Sequence, residues 1–231
     1  GQAVRLVEDQ RFLTGRGRYV DDITLPNQCY GVIVMSPHAH ATIRSIDVSA
    51  AKSTAGVLAV LTGADAIADK LGGFPPLFTP EDMGGPKGYK TLRPVLIADR
   101  VRCVGDRVAF VVAETLAIAR EAAEKVVVDY APLPSVVTLN EAMREGAPKI
   151  WDDCPTGNAA SGVMFGNKEA TDAAFAKAKH VVAVELLNNR VSANSIEPRA
   201  AIGDYNAADE TYTLYASSQN PHGASSMLSG A

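Results

Sequence analysis

The sequence predicts a mixed α/β protein of the α+β kind, and three observations predict it. Short apolar runs rich in β-branched residues recur from residue 28 onward, each bounded by turn residues. Between them lie segments whose apolar residues return at helical spacing, most clearly from Leu116 to Val126. The alternation of the two patterns argues for sheets layered with helices.

Residues 1–27 are polar and carry turn signals at Gly15, Gly17, Asp21-Asp22 and Pro26-Asn27. The first strand is expected at Tyr30–Met35, a second at Val57–Leu61, a third at Arg107–Ala113 and a fourth at Val126–Tyr130. Thr115 is placed to cap a helix with Leu116, Ala119, Ala123 and Val126 on one side and Arg120, Glu121, Glu124 and Lys125 on the other. Glu121 and Lys125 stand four apart in the favourable order, worth about 0.2–0.5 kcal/mol. Shorter helices are expected at Ser49–Ala55 and Ala64–Leu71. From Leu71 to Pro94 glycines and prolines interrupt every pattern, and the segment reads as a long surface excursion reaching toward a neighbouring domain or subunit.

After Val137 a short helix is expected at Asn140–Gly146, then a linker-like run through Pro148, Asp152-Asp153, Pro155 and Gly157. A helix follows at Thr171–Lys179. Strands are expected at His180–Leu187, Ala200–Tyr205 and Thr211–Ser217, with Asn206 to Asp209 turning between the last two. Residues His222–Leu228 can begin a helix. The second part of the chain reads as incomplete.

Composition narrows the function classes. The chain has 231 residues, 47% hydrophobic and 21% charged, with a net charge of -4. It is long enough to bury a core, and its charge offers nothing to nucleic acid or to an anionic membrane. With aromatics at 6%, a base-stacking surface is not expected. No apolar run approaches the roughly 20 residues of a membrane span. The chain starts at Gly1 without an initiator Met or an apolar signal segment, as expected of a processed or longer polypeptide. Cys29, Cys103 and Cys154 form no CxxC pair, so reduced thiols in a cytoplasmic setting are expected rather than a zinc site or disulfide framework.

Spacing alone yields no complete site. There is no dinucleotide fingerprint, phosphate-binding loop or nucleophile elbow, and Gly15-Arg16-Gly17 reads as a turn. His38 and His40 share a face if extended, but no further metal ligands lie near them, so packing is expected. Asp21 and Asp22 read as turn or cap residues. Glu197-Pro198-Arg199 suggests an ion pair fixing a loop. Ser217-Ser218-Gln219-Asn220-Pro221-His222 is a polar patch at a strand end, where ligand-facing groups gather in layered folds.

Several phrases are more specific. Arg5-Leu6-Val7-Glu8-Asp9, then Leu13-Thr14-Gly15-Arg16-Gly17-Arg18-Tyr19-Val20-Asp21-Asp22-Ile23, resemble the opening of the large subunit of molybdenum hydroxylases, the xanthine dehydrogenase, aldehyde oxidase and carbon monoxide dehydrogenase family. Ser36-Pro37-His38-Ala39-His40-Ala41, the stretch from Val101 to Thr115, and Val128-Asp129-Tyr130-Ala131-Pro132-Leu133-Pro134 continue the likeness. Asn188-Asn189-Arg190, Glu197-Pro198-Arg199-Ala200 and Ser217-Ser218-Gln219-Asn220-Pro221-His222-Gly223 complete it in order, across essentially the whole chain.

The resemblance implies an N-terminal extension over 1–17, an α/β hammerhead domain over 18–137, a connector over 138–160 and the beginning of a molybdenum-cofactor-binding domain over 161–231. It implies an oxidoreductase that hydroxylates an aldehyde, an N-heterocycle or carbon monoxide. The cofactor would be molybdenum-molybdopterin in its cytosine dinucleotide form. Electrons would leave to 2Fe-2S and FAD on partner subunits, an iron–sulfur small subunit and an FAD medium subunit, in a dimer of heterotrimers. By the same resemblance Gln219 is the cofactor-contacting residue, its amide donating to a molybdenum oxo ligand. An amide suits that role because it stabilises charge on oxygen without titrating. Glu197 matches a position near the active-site wall, and no residue here is a direct metal ligand. The glycine-rich stretch, later cofactor contacts and catalytic glutamate of the family are not among these residues, so the isolated chain is expected to be inactive. The competing reading is a non-catalytic hammerhead scaffold or assembly module.

Overall fold

The computed structural model describes residues 1–230 except 77, 78, 190 and 196, and at Met83 the backbone alone. The chain divides into two compact units, Gly1–Gln28 with His180–Ser226 and Cys29–Lys179 with Met227–Ala231.

The larger unit is built on two three-stranded antiparallel sheets. One is formed by β1 (Tyr30–Met35), β3 (Val57–Thr62) and β7 (Arg107–Ala113), with β7 in the centre. The other is formed by β2 (Ala41–Asp47), β6 (Arg100–Val101) and β8 (Val127–Pro132), with β2 in the centre. Val108 and Val111 are fully buried on β7. Three apart in a strand, they face opposite sides. Val108 joins Ala41, Ile43, Ile97 and Val101, whereas Val111 joins Ala51, Val60 and Ala122. The second cluster lies under α2 (Ser49–Lys52) and α4 (Leu116–Glu124), which bury Ala51, Ala119 and Ala122. Thr115 caps α4 as its position predicts, accepting from the Ile118 amide at 3.2 Å. Glu121 and Lys125 pair at 2.8 Å.

Strand β2 is absent from the pattern-based expectation, and its register explains why. A bulge between Ile43 and Ser45 shifts the pairing with β8 by one residue. The inward residues are therefore Ala41 and Ile43, then Ile46, and no period of two runs through the segment.

Helix α3 (Gly63–Ala68) begins at a reciprocal cap. Asp65 accepts from the Thr62 amide at 2.6 Å and from its hydroxyl at 2.7 Å. A Cβ at Gly63 would lie 2.5 Å from the Ala98 nitrogen, so this helix start needs a residue without a side chain.

The segment from 71 to 94 has more order than its composition suggests. Strands β4 (Gly73–Phe74) and β5 (Arg93–Pro94) pair antiparallel, and a 3-10 turn spans Pro80–Met83. Glu81 accepts from the Gly88 amide at 3.0 Å and pairs with Lys90 at 2.9 Å. The segment is tied to residues 153 and 160. The Tyr89 amide donates to the Ala160 carbonyl at 2.7 Å, and its hydroxyl to Asp153, also at 2.7 Å. Helix α5 (Leu139–Met143) starts one residue before the expected Asn140–Gly146 and ends three residues short of it. Helix α6 (Lys168–Lys177) starts before its expected boundary because Asn167 caps it, accepting from the Ala170 amide at 2.9 Å.

In the smaller unit, β9 (Ala201–Asn206) and β10 (Thr211–Ala216) form a hairpin with in-register pairing from Thr211↔Asn206 to Ala216↔Ala201. The rings of Tyr205 and Tyr212 face across it, 4.7 Å apart. Helix α1 (Asp9–Leu13) and a 3-10 turn at Val20–Asp22 belong to the same unit. Helix α7 (Pro221–Ser229) follows the hairpin. The strand expected at His180–Leu187 does not form. Its described backbone finds no ladder partner, and the apolar residues of the run are exposed, Val182 by 86% and Leu187 by 87%. A strand exists only where a neighbour takes up its N–H and C=O groups.

Candidate functional site around Gln219

The polar patch at the end of β10 is held in one conformation by its own side chains. Ser218 Oγ accepts from the Asn220 amide at 3.1 Å. Asn220 Oδ1 in turn accepts from the Gly223 amide at 2.9 Å, the geometry of an N-cap, with Pro221 as first residue of α7. Asn220 can fold back in this way because residue 223 is glycine. A Cβ there would stand 2.6 Å from the Asn220 side-chain nitrogen.

Gln219 lies between these two turns. Its side chain is exposed, and among the described residues no hydrogen bond engages its amide. Ser218 and Asn220 are tied to the backbone through their oxygens, whereas the Gln219 side chain makes no such local bond.

Glu197 approaches the same strand end from the other side. Its Oε1 accepts from the Val20 amide at 3.1 Å, and its Oε2 accepts from the Ser217 hydroxyl. Ser195 Oγ donates to the Glu197 carbonyl at 2.8 Å. The ion pair suggested by Glu197-Pro198-Arg199 is not made. Among the described residues Arg199 has no carboxylate partner, while Glu197 serves Val20 and Ser217. Neither partner of Glu197 was suggested by spacing. Val20 lies 177 residues away in sequence, and Ser217 looks like any strand-end serine.

The remaining candidates do structural work. The His38 ring packs on Tyr130, centroids 4.8 Å apart, whereas His40 is buried with Nδ1 2.7 Å from the Pro134 carbonyl. Asp22 accepts from the Tyr19 amide at 2.8 Å and shapes the 3-10 turn. Gly15, at φ +70, makes the turn after α1. The three cysteines are free thiols: Cys154 is buried, and Cys103 donates to Asp106 at 3.3 Å. Burial and the Asp106 carboxylate push the Cys103 thiol above its ordinary range. Among the described residues, no three His, Cys, Asp or Glu side chains gather around a common point. Likewise, no helix there is long and apolar enough to cross a membrane.

Comparison with known proteins shows the family. Residues 14–134 match the domain described as aldehyde oxidase and xanthine dehydrogenase, a/b hammerhead domain. Residues 151–231 match the molybdopterin cofactor-binding domain. The chain belongs to the aldehyde oxidase and xanthine dehydrogenase family. It is 38% identical over 229 residues to the carbon monoxide dehydrogenase large chain of Afipia carboxidovorans, covering 94% of this chain and 27% of that protein. It is 36% identical over 231 residues to the nicotine 6-hydroxylase large subunit of Paenarthrobacter nicotinovorans, covering 99% and 27%. The crystal structure of quinoline 2-oxidoreductase from Pseudomonas putida 86 superposes with a TM-score of 0.88 at 34% identity, covering 100% of this chain and 28% of that one. The chain thus spans about 27% of the length of the curated relatives it matches.

Proposed function

We propose that this chain is part of the large, molybdenum-cofactor-binding subunit of a molybdenum hydroxylase, and that Gln219 is its contact with the cofactor. The observation that carries the reading is the Gln219 amide, exposed and unengaged between two side-chain-locked turns. A fixed neutral donor of this kind fits an oxygen that gains charge during reaction, since it needs neither reorganisation nor a change of protonation. It fits a cofactor oxo ligand for the same reason. Bound, the cofactor supplies two-electron redox chemistry at molybdenum, while this chain's share is to place the donor and hold it still.

The substrate class is an N-heterocycle, an aldehyde or carbon monoxide, in keeping with relatives named for nicotine, quinoline and carbon monoxide. The organic-hydroxylase branch is preferred for the form of the Glu197-Pro198-Arg199 phrase. The cofactor is taken as the cytosine dinucleotide form of molybdopterin, with 2Fe-2S and FAD on companion subunits of a cytoplasmic dimer of heterotrimers. The domains are read as an N-terminal extension over 1–17, a hammerhead over 18–137, a connector over 138–160 and the cofactor-binding domain from 161.

Replacing Gln219 by Ala in the intact complex tests the reading. Removal of one preorganised donor lowers kcat about 10²-fold, with molybdenum content and melting temperature unchanged. Turnover equal to the parent removes Gln219 from the site. A complex that purifies without molybdenum, under conditions where its relatives load it, overturns the enzyme reading in favour of a scaffold.

A further inference from the structure

Glu197 joins two segments that the sequence keeps far apart. Val20 is 7% exposed and sits in the N-terminal 3-10 turn, so its amide is withdrawn from water and needs an acceptor. Ser217 follows the last residue of β10 and precedes Gln219 by two positions. One carboxylate serves both, Oε1 on the Val20 amide at 3.1 Å and Oε2 on the Ser217 hydroxyl. Beyond Ser217 the chain of contacts continues through Ser218 and Asn220 to Gly223.

We propose that Glu197 is the positioning residue for Gln219, clamping the N-terminal turn to the strand end that carries the amide. The inference rests on the reading of Gln219 given above. Both carboxylate oxygens are already committed to donors, which suits a clamp rather than a group that exchanges protons with substrate. A positioned donor loses effect steeply with small displacements, so a clamp two residues away bears directly on turnover. A glutamine at 197 can keep both contacts, its oxygen accepting from Val20 and its amide donating to Ser217 Oγ, while carrying no carboxylate. Alanine keeps neither.

The test uses the holoenzyme complex with Glu197→Ala, Glu197→Gln, Ser217→Ala, Gln219→Ala and the double variant Glu197→Ala/Gln219→Ala. Glu197→Ala is expected to lower kcat about tenfold, the fold-change of a coupling of this kind, and Glu197→Gln to restore it to within about threefold. In the Gln219→Ala background the Glu197→Ala change should cost less than about twofold, because the clamp acts through the residue already removed. Hydrogen exchange in the metal-free complex supplies a second readout. Amides at 19–22 and 217–220 should exchange faster in Glu197→Ala, and those at 217–220 faster in Ser217→Ala, whereas Gln219→Ala leaves both segments protected. If Glu197→Ala does not assemble, Ser217→Ala carries the test, lowering kcat and exposing 217–220. The clamp is overturned if Glu197→Gln is as impaired as Glu197→Ala, if the two losses multiply in the double variant, or if exchange at 217–220 does not respond. A Gln219→Ala complex with full turnover alongside faster exchange in Glu197→Ala refutes the reading of Gln219 and leaves the clamp standing as structure.

Discussion

The guanidinium of Arg102 lies over the ring of Trp151, 3.8 Å from its centroid. Its Nε donates to the Ile150 carbonyl at 3.2 Å and its Nη1 to the Arg100 carbonyl at 3.0 Å. One side chain thus fastens Ile150 and Trp151 to the sheet edge at β6. Nearby, Arg100 pairs with Asp152 at 2.8 Å.

Arg102→Ala is expected to destabilise the protein by about 1–2 kcal/mol through loss of the ring contact and two hydrogen bonds. Arg102→Lys should recover only part, because an ammonium cannot form the planar stack and fork together. Trp151 is the only tryptophan, so its fluorescence reports on this contact directly. An emission maximum that does not move in Arg102→Ala contradicts the stack.

Gly63→Ala should cost about 1–3 kcal/mol, since the new Cβ meets backbone atoms of Ala98 and Ile97 that cannot turn away. Gly162→Ala in the same unit meets nothing within 4 Å and should leave stability unchanged or slightly raised. Urea titration of the pair checks this. Equal midpoints would mean that the approach of α3 to residue 98 is looser than described.

The Gly88 amide and the Lys90 ammonium hold the Glu81 carboxyl down to about 2, well below its ordinary 4.5. The folded group therefore takes up its proton at lower pH than the unfolded one. Its contribution is full above about pH 4.5 and is lost as pH falls through about 2. The amide resonance of Gly88 should titrate with a midpoint near 2, and Glu81→Gln should abolish that titration. A midpoint near 4.5 would show that the carboxylate does not hold this turn.

Gly223→Ala sets two effects of similar size against each other. Alanine favours the helix by about 1 kcal/mol, while displacing the Asn220 cap costs about as much. Stability should stay within about 1 kcal/mol of the parent, yet turnover of the intact complex should fall because the turn beside Gln219 opens. Unchanged kcat with an unchanged melting temperature would separate the cap from the function of Gln219.

Strands β1 and β7 were legible because their apolar runs are continuous and bounded by turn residues, and α4 because Thr115 announces it. The bulge at Ile43/Ser45 hid β2, since it breaks the period on which such reading depends. The run at His180–Leu187 misled in the opposite sense. Its composition suits a strand, but pairing is a property of two segments and is not written in one. Gln219 was legible as a strand-end polar residue, and the resemblance made it the candidate for a cofactor contact. That its neighbours Ser218 and Asn220 fold back on the backbone while, among the described residues, its own amide does not emerged only from the hydrogen bonds.

By itself, the sequence determined the alternation of strands and helices and the helix start at Thr115, because each is encoded by neighbours within a few residues, and the family likeness through its ordered phrases. The tertiary structure alone decided that Glu197 would serve Val20 and Ser217 rather than Arg199, and that Arg102 would find Trp151. Those partners are 177, 20 and 49 positions distant. Over such separations, only the closing of loops around a packed core selects which side chains meet.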